Sequence, residues 1–157
     1  MIKHLYLASV SILLFVSCNS HKEEEKHSHH HANYVTQLKN IEKKDVGNGE
    51  FVYQMEGKDL DFQSLSFAIT ETNPGGGPPL HTHTSEEAHI VMDGNITYVI
   101  GDSIFNVNGP FVTKVPAGVP HTFINSGDTV INLIAVFPKD NFGKYNPVGK
   151  NPLIEKK

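Results

Sequence analysis

From Phe51 to Phe137 the chain is a succession of short β-branched and aromatic runs: FVYQM, LDFQSLSFAIT, AHIVM, NITYVI, SIFNV, FVTKV, HTFIN and TVINLIAVF. Between them stand the turn signals NPGGGPP, MDGN, IGDS, VNGP, PAGVP and NSGD. Runs this short and this regularly punctuated leave no room for a helix of ordinary length. The expectation is therefore an all-β domain of eight strands with short loops, closed into a sandwich or barrel. With 157 residues there is material for one domain and one moderate core.

Two stretches carry chemistry. The first, GGGPPLHTHTSEEAHIVMDG from Gly75 to Gly94, places His81 and His83 at i and i+2 and Glu87 four residues later. On a strand, where side chains alternate, both imidazoles aim at one point and a carboxylate follows. The second, PAGVPHTFIN from Pro116 to Asn125, delivers His121 from a Pro/Gly-rich turn into another apolar run. Three nitrogens and one oxygen suit Fe(II), Mn, Ni, Cu or Zn far better than Ca or Mg. One divalent transition metal held by His81, His83, Glu87 and His121 would keep one or two positions open, as catalysis requires. The glycine triplet Gly75–Gly77 is no phosphate loop, because no Gly-Lys-Ser/Thr follows it.

These stretches resemble the two signature motifs of the cupin superfamily. Gly75, His81, His83, Glu87 and Gly94 reproduce G-x5-H-x-H-x3-E-x6-G. Pro116, Gly118, His121 and Asn125 match the second motif, with six residues between Gly109 and Pro116 instead of five. The GGGPPLHTH opening and the single-domain size most resemble the small quercetin-dioxygenase-like cupins. The resemblance implies a double-stranded β-helix, or jelly-roll barrel, over residues 46–138. It also implies dioxygenase-type chemistry on a small enolic or phenolic substrate whose deprotonated oxygen the metal holds while O2 reacts with it. Two other functions fit the same scaffold: a binding module that sequesters a metal or small extracellular ligand, and a metal-dependent isomerase.

Alternation assigns faces. With Glu87 inward, His89 and Val91 are inward too, while Ala88, Ile90, Met92 and Glu86 point away. Glu87 is the candidate catalytic carboxylate, as ligand and proton acceptor. His89 takes a position where related cupins often carry an aromatic residue; it is either a core histidine bonded to a neighbour or a second catalytic contact. Phe62, Phe67, Phe105, Phe111 and Phe123 read as core, with Phe123, inward beside His121, the candidate wall of a substrate pocket. Asn125 reads as a turn former. The outer apolar face of the AHIVM run and the two-sided apolar strand 131–137 predict a homodimer through that surface.

Every basic side chain is lysine and the formal net charge is −4. No basic stripe exists to attract nucleic acid, and without arginine a phosphorylated substrate is disfavoured against a neutral or aromatic one.

The ends read differently. Residues 1–17, with Lys3 ahead of an apolar stretch, form a signal peptide too short to span a bilayer. The lone cysteine, Cys18, directly after Ser17, resembles a bacterial lipoprotein processing site, which predicts a lipid-anchored, exported protein on an outer-membrane, periplasmic or cell-surface face. Residues 18–45 form a tether rich in His, Glu and Lys. Its histidines His27, His29, His30 and His31 are either a solvated linker or a loose trap for metal. Residues 139–157, with Gly143, Pro147, Gly149 and Pro152, read as an extended tail.

Overall fold

The computed structural model describes residues 34–139 and 144–154. The leader, Cys18 and the four tether histidines lie outside the described residues. The described residues hold eleven strands: β1 (Lys43–Gly47), β2 (Glu50–Met55), β3 (Leu65–Thr72), β4 (Leu80–Thr82), β5 (Glu87–Val91), β6 (Asn95–Ile100), β7 (Ser103–Asn108), β8 (Phe111–Val115), β9 (His121–Asn125), β10 (Ile131–Pro138) and β11 (Asn146–Gly149). Among them, no helix is long and apolar enough to cross a membrane.

The strands form two antiparallel sheets, ordered β1-β2-β3-β10-β5-β8 and β11-β4-β9-β6-β7. The chain crosses between the sheets after β3, β4, β5, β7, β8, β9 and β10, so neighbours in space are distant in sequence. This is the all-β jelly roll that the run-and-turn pattern and the motifs predict. Burial alternates along β5, with Glu87, His89 and Val91 buried and Ala88 and Ile90 half-buried, and Met92 beyond it is exposed. The core is filled by Val91, Ile96, Tyr98, Phe123, Leu133 and Phe137.

Three strands lie outside the eight expected. β1 begins inside the stretch read as tether, where Lys43, Lys44 and Asp45 pair with Tyr53, Val52 and Phe51. The β1–β2 hairpin closes over Gly47, Asn48 and Gly49, all at positive φ, a conformation that glycine and asparagine tolerate. β4 is three residues long, held between β9 on one side and β11 on the other. β11 corrects the reading of residues 139–157 as an extended tail: Asn146 and Pro147 pair with Thr82 and His81. An edge strand tolerates Pro147, because a proline that cannot donate is costly only inside a sheet.

The aromatic expectation needs correcting as well. Phe123 is buried, yet Phe62 is 42% and Phe105 39% exposed, and Phe67 is half-buried. The inward positions of β3 are instead Ser66, Ala68, Thr70 and Thr72. These small residues put Phe67 and Ile69 on the outer face and leave the interior unfilled beside β2 and β10. That vacancy becomes the cavity.

Candidate metal centre

β4, β5 and β9 bring the four expected donors together. His81 lies directly opposite His121 in the β4–β9 register, His83 follows two residues on, and Glu87 opens β5. The approach to β4 depends on Gly77, where an added Cβ would lie 1.9 Å from the Phe123 carbonyl oxygen. Only a residue without a side chain lets the backbone pass this close to β9 and set His81 against His121. All four residues are buried, and one donor atom of each lies within 4.8 Å of every other.

Local hydrogen bonds orient the rings. The Nδ1–H of His81 donates to the Pro79 carbonyl at 2.8 Å, and that of His121 to the Val119 carbonyl at 2.9 Å. Each bond leaves the Nε2 of the neutral ring with a free lone pair, the form a metal takes. His121 Nε2 stands 3.0 Å from Glu87 Oε2, and neither atom has a hydrogen-bond partner. Two buried lone-pair atoms this close, both unpartnered, call for a cation. Donors about 2.1 Å from one metal at right angles are about 3.0 Å apart, so the spacing fits a transition metal.

The electrostatics agree. Burial, reinforced by neighbouring His121, pulls His81 down to about 3, against the opposing pull of the Pro79 carbonyl. Burial likewise lowers His83, although Glu87 attracts its proton. For Glu87 burial works against ionisation, but the carboxyl is held below its usual range, with His89, which donates to Oε1, the leading cause. At neutral pH, His81, His83 and Glu87 therefore stand ready as ligands.

His89 does not join the four; it stands behind Glu87. Its Nε2–H donates to Glu87 Oε1 at 2.7 Å, and its Nδ1 lies 3.2 Å from the Tyr98 hydroxyl, which donates to it. Burial raises the Tyr98 pKa, so the phenol keeps its proton. With Oε1 taken, Glu87 turns only Oε2 towards the other three ligands. Asn125 shapes the turn after β9, donating to the Thr72 and Thr129 carbonyls and accepting from the Gly127 N–H. Glu86 is exposed, as alternation predicts.

The four donors open on a cavity of about 560 Å³, of which Phe123 forms part of the wall. Its other walls are mainly apolar, with Val52, Ala68, Leu133, Ala135 and Phe137 among them, and no lysine among the described residues lines it. Two lining residues escaped the sequence reading. Tyr145 stacks on His81, ring centroids 4.5 Å apart, from the stretch read as tail. Glu50 is 2% exposed and its Oε2 has no hydrogen-bond partner. Alternation would have placed Glu50 inward with Val52 once β2 was known to pair with β3.

Residues 68–137 match the family model described as Cupin domain. Over this stretch the chain is similar to the cupins, as its two motifs and its jelly-roll fold lead one to expect. Solved structures similar to this chain include the polyketide cyclase RemF from Streptomyces resistomycificus, with 16% identity and a TM-score of 0.61, covering 75% of this chain and 87% of that one. Others are oxalate decarboxylases. The Bacillus subtilis enzyme OxdC shows 23% identity and a TM-score of 0.60, covering 66% of this chain and 29% of that one. The Lactobacillus farciminis enzyme, in its formate complex, shows 25% identity and a TM-score of 0.59, covering 73% of this chain and 33% of that one. The chain thus spans about a third or less of the length of the oxalate decarboxylases it matches. No curated protein matches the sequence.

Proposed function

We propose that this protein is a metal-dependent enzyme of the dioxygenase type acting on a small enolic or phenolic substrate. The observation that carries the reading is the set of four buried, converging donors, His81, His83, Glu87 and His121, facing an otherwise apolar cavity without a fixed cation. A divalent transition metal held there supplies Lewis acidity towards an enol or phenol oxygen and access to O2 chemistry. Mn(II) centres in the B. subtilis oxalate decarboxylase make manganese one candidate beside Fe, Ni, Cu and Zn.

The residues of the chain do the rest. Phe123, Leu133 and Phe137 exclude water and accept an apolar ring. Glu87, which turns Oε2 towards His83 and His121, is the proton acceptor of this reading. His89 fixes the carboxylate through Oε1 and so positions Oε2. Among the described residues a dianion such as oxalate finds no lysine in the cavity wall to hold its far end, and the chain has no arginine, which favours a substrate unlike that of the oxalate decarboxylases.

The test is O2 consumption by the protein loaded in turn with Fe(II), Mn, Ni, Cu and Zn, offered a flavonol, a catechol or a 1,3-diketone. Uptake matched to substrate loss, and abolished by Glu87→Ala, supports the reading. No aerobic turnover of any of them contradicts it. Likeness over 87% of the polyketide cyclase supports a second reading, a non-oxidative cyclisation or isomerisation of an enolisable carbonyl compound, which would give product under nitrogen.

We also propose that the protein is exported, anchored by a lipid on Cys18, and dimeric. The dimer reading is supported by the outer face of the six-stranded sheet. Ile69, Ile134, Ile90 and Val112 are successive register partners there, and Val112 is 71% exposed. A monomer in sedimentation at micromolar concentration would contradict the dimer, and a Cys18→Ala variant that stays in the membrane fraction would contradict the lipid anchor.

A further inference from the structure

Among the described residues, Glu50 is the one carboxylate lining the cavity that the four-donor site does not use. It opens β2, and its partner across β3 is Thr72. β3 and β10 lie between its strand and β5, which carries Glu87. The side chain is 2% exposed, and Oε2 is bonded to nothing. Gln54, on the same inward row, is already engaged with Glu56 and Lys44. Thr70 is paired with Thr72.

An ionised carboxylate with no cation beside it in an apolar wall costs several kcal/mol, so such a group is either neutral or waiting for a partner. A buried carboxyl serving the fold alone would have found a hydrogen bond, because buried polar atoms nearly always do.

We propose that Glu50 is a second anchor for the substrate: its carboxyl hydrogen-bonds a hydroxyl or carbonyl oxygen remote from the oxygen directed at His81, His83, Glu87 and His121. This rests on the enolic or phenolic reading of the site and narrows it. The substrate carries two separated oxygens and no carboxylate at the Glu50 end. Burial, with repulsion from Glu87 added, lifts the Glu50 pKa to about 8, so at neutral pH the group is an acid that can both donate to and accept from such an oxygen. Tyr145, raised by burial and by Glu50, keeps its phenol neutral beside it.

The experiment compares quercetin with 3-hydroxyflavone, which share the adjacent hydroxyl and carbonyl but differ in hydroxyls elsewhere. Binding to the zinc-loaded full chain is measured under nitrogen, where no oxidation occurs. Quercetin is expected to bind about tenfold more tightly, the worth of one good buried hydrogen bond. Glu50→Leu should erase that preference and leave 3-hydroxyflavone nearly unchanged, and Glu50→Gln, which still donates, should keep most of it. Glu50→Leu should also raise the melting temperature, because it removes a polar group that the fold does not satisfy. Equal binding of the two flavonols by wild type, or binding of neither, would overturn the proposal. So would a Glu50→Leu variant that keeps the preference or loses stability. If selectivity holds under nitrogen but no aerobic turnover follows, the dioxygenase reading fails while this one stands.

Discussion

His89 Nε2 lies 2.7 Å from Glu87 Oε1, so one carboxylate oxygen is fixed by a protein hydrogen bond while the other faces His121 at 3.0 Å. The pair divides the labour of the carboxylate between orientation and ligation. Tyr98 completes the line by holding the far nitrogen of His89.

Removing that support should loosen the metal without removing a ligand. For His89→Phe, which keeps a ring in the core but cannot donate, metal affinity should fall about 10- to 100-fold, as losses of hydrogen bonds behind a metal ligand usually do. Competition against a chromophoric chelator would measure it. An affinity equal to wild type would reduce His89 to core packing.

The depressed proton affinities of His81, His83 and Glu87 have a thermodynamic signature. Ligands already free of protons have none to give up, so metal binding at pH 7 should release fewer than one proton. Titration calorimetry in buffers of different ionisation enthalpy counts them directly. Release of two or more would mean that the histidines are protonated before the metal arrives.

Gly77→Ala should be among the most damaging single changes outside the ligands. The added methyl meets the Phe123 carbonyl oxygen at 1.9 Å, and Asn151, which donates to the Pro78 and Phe123 carbonyls, closes the other side. A loss of about 3 kcal/mol in denaturant unfolding is expected, together with weaker metal binding as β4 shifts against β9.

Glu50 makes stability depend on pH in a known direction. Its pKa of about 8 in the folded state, against 4.5 for the free side chain, means that the folded protein holds the extra proton between those values. The penalty for burying Glu50 is therefore least at low pH and grows, by up to a few kcal/mol, so that stability falls as pH rises through that window. The lowered His81 and His83 act oppositely, losing stability as pH falls below about 6.5. Glu87, Tyr98 and Tyr145 interact electrostatically with Glu50 and are common to both proteins. In metal-free protein between pH 6.5 and 9, wild type should lose melting temperature relative to Glu50→Gln; parallel curves would contradict the burial argument.

Much of the fold was legible because its punctuation is local. Glycine, proline and Asx-Gly turns mark strand ends wherever they fall, and strict alternation in β5 sorts Glu87 and His89 from Ala88 and Ile90. The four converging donors were legible for the same reason: His81, His83 and Glu87 sit close together in sequence, and His121 follows a turn. β4 was missed because three residues are too few to show a period, and β11 because Pro147 and Gly149 read as breakers while the edge position that excuses them is set by β4. Glu50 and Tyr145 reach the cavity only through long-range register, β2 on β3 and β11 on β4. No local pattern encodes those pairings, and the small inward residues of β3 that create the cavity look like ordinary alternation until the sheet is assembled.

The most direct test of the account is the metal content of the full chain carrying serine at His27, His29, His30 and His31, so that the tether contributes none, measured by mass spectrometry with and without Glu87→Ala and His81→Ala. The account predicts about one equivalent of a single divalent transition metal, lost in both variants. No metal after reconstitution, or metal retained when Glu87 and His81 are replaced, would contradict it.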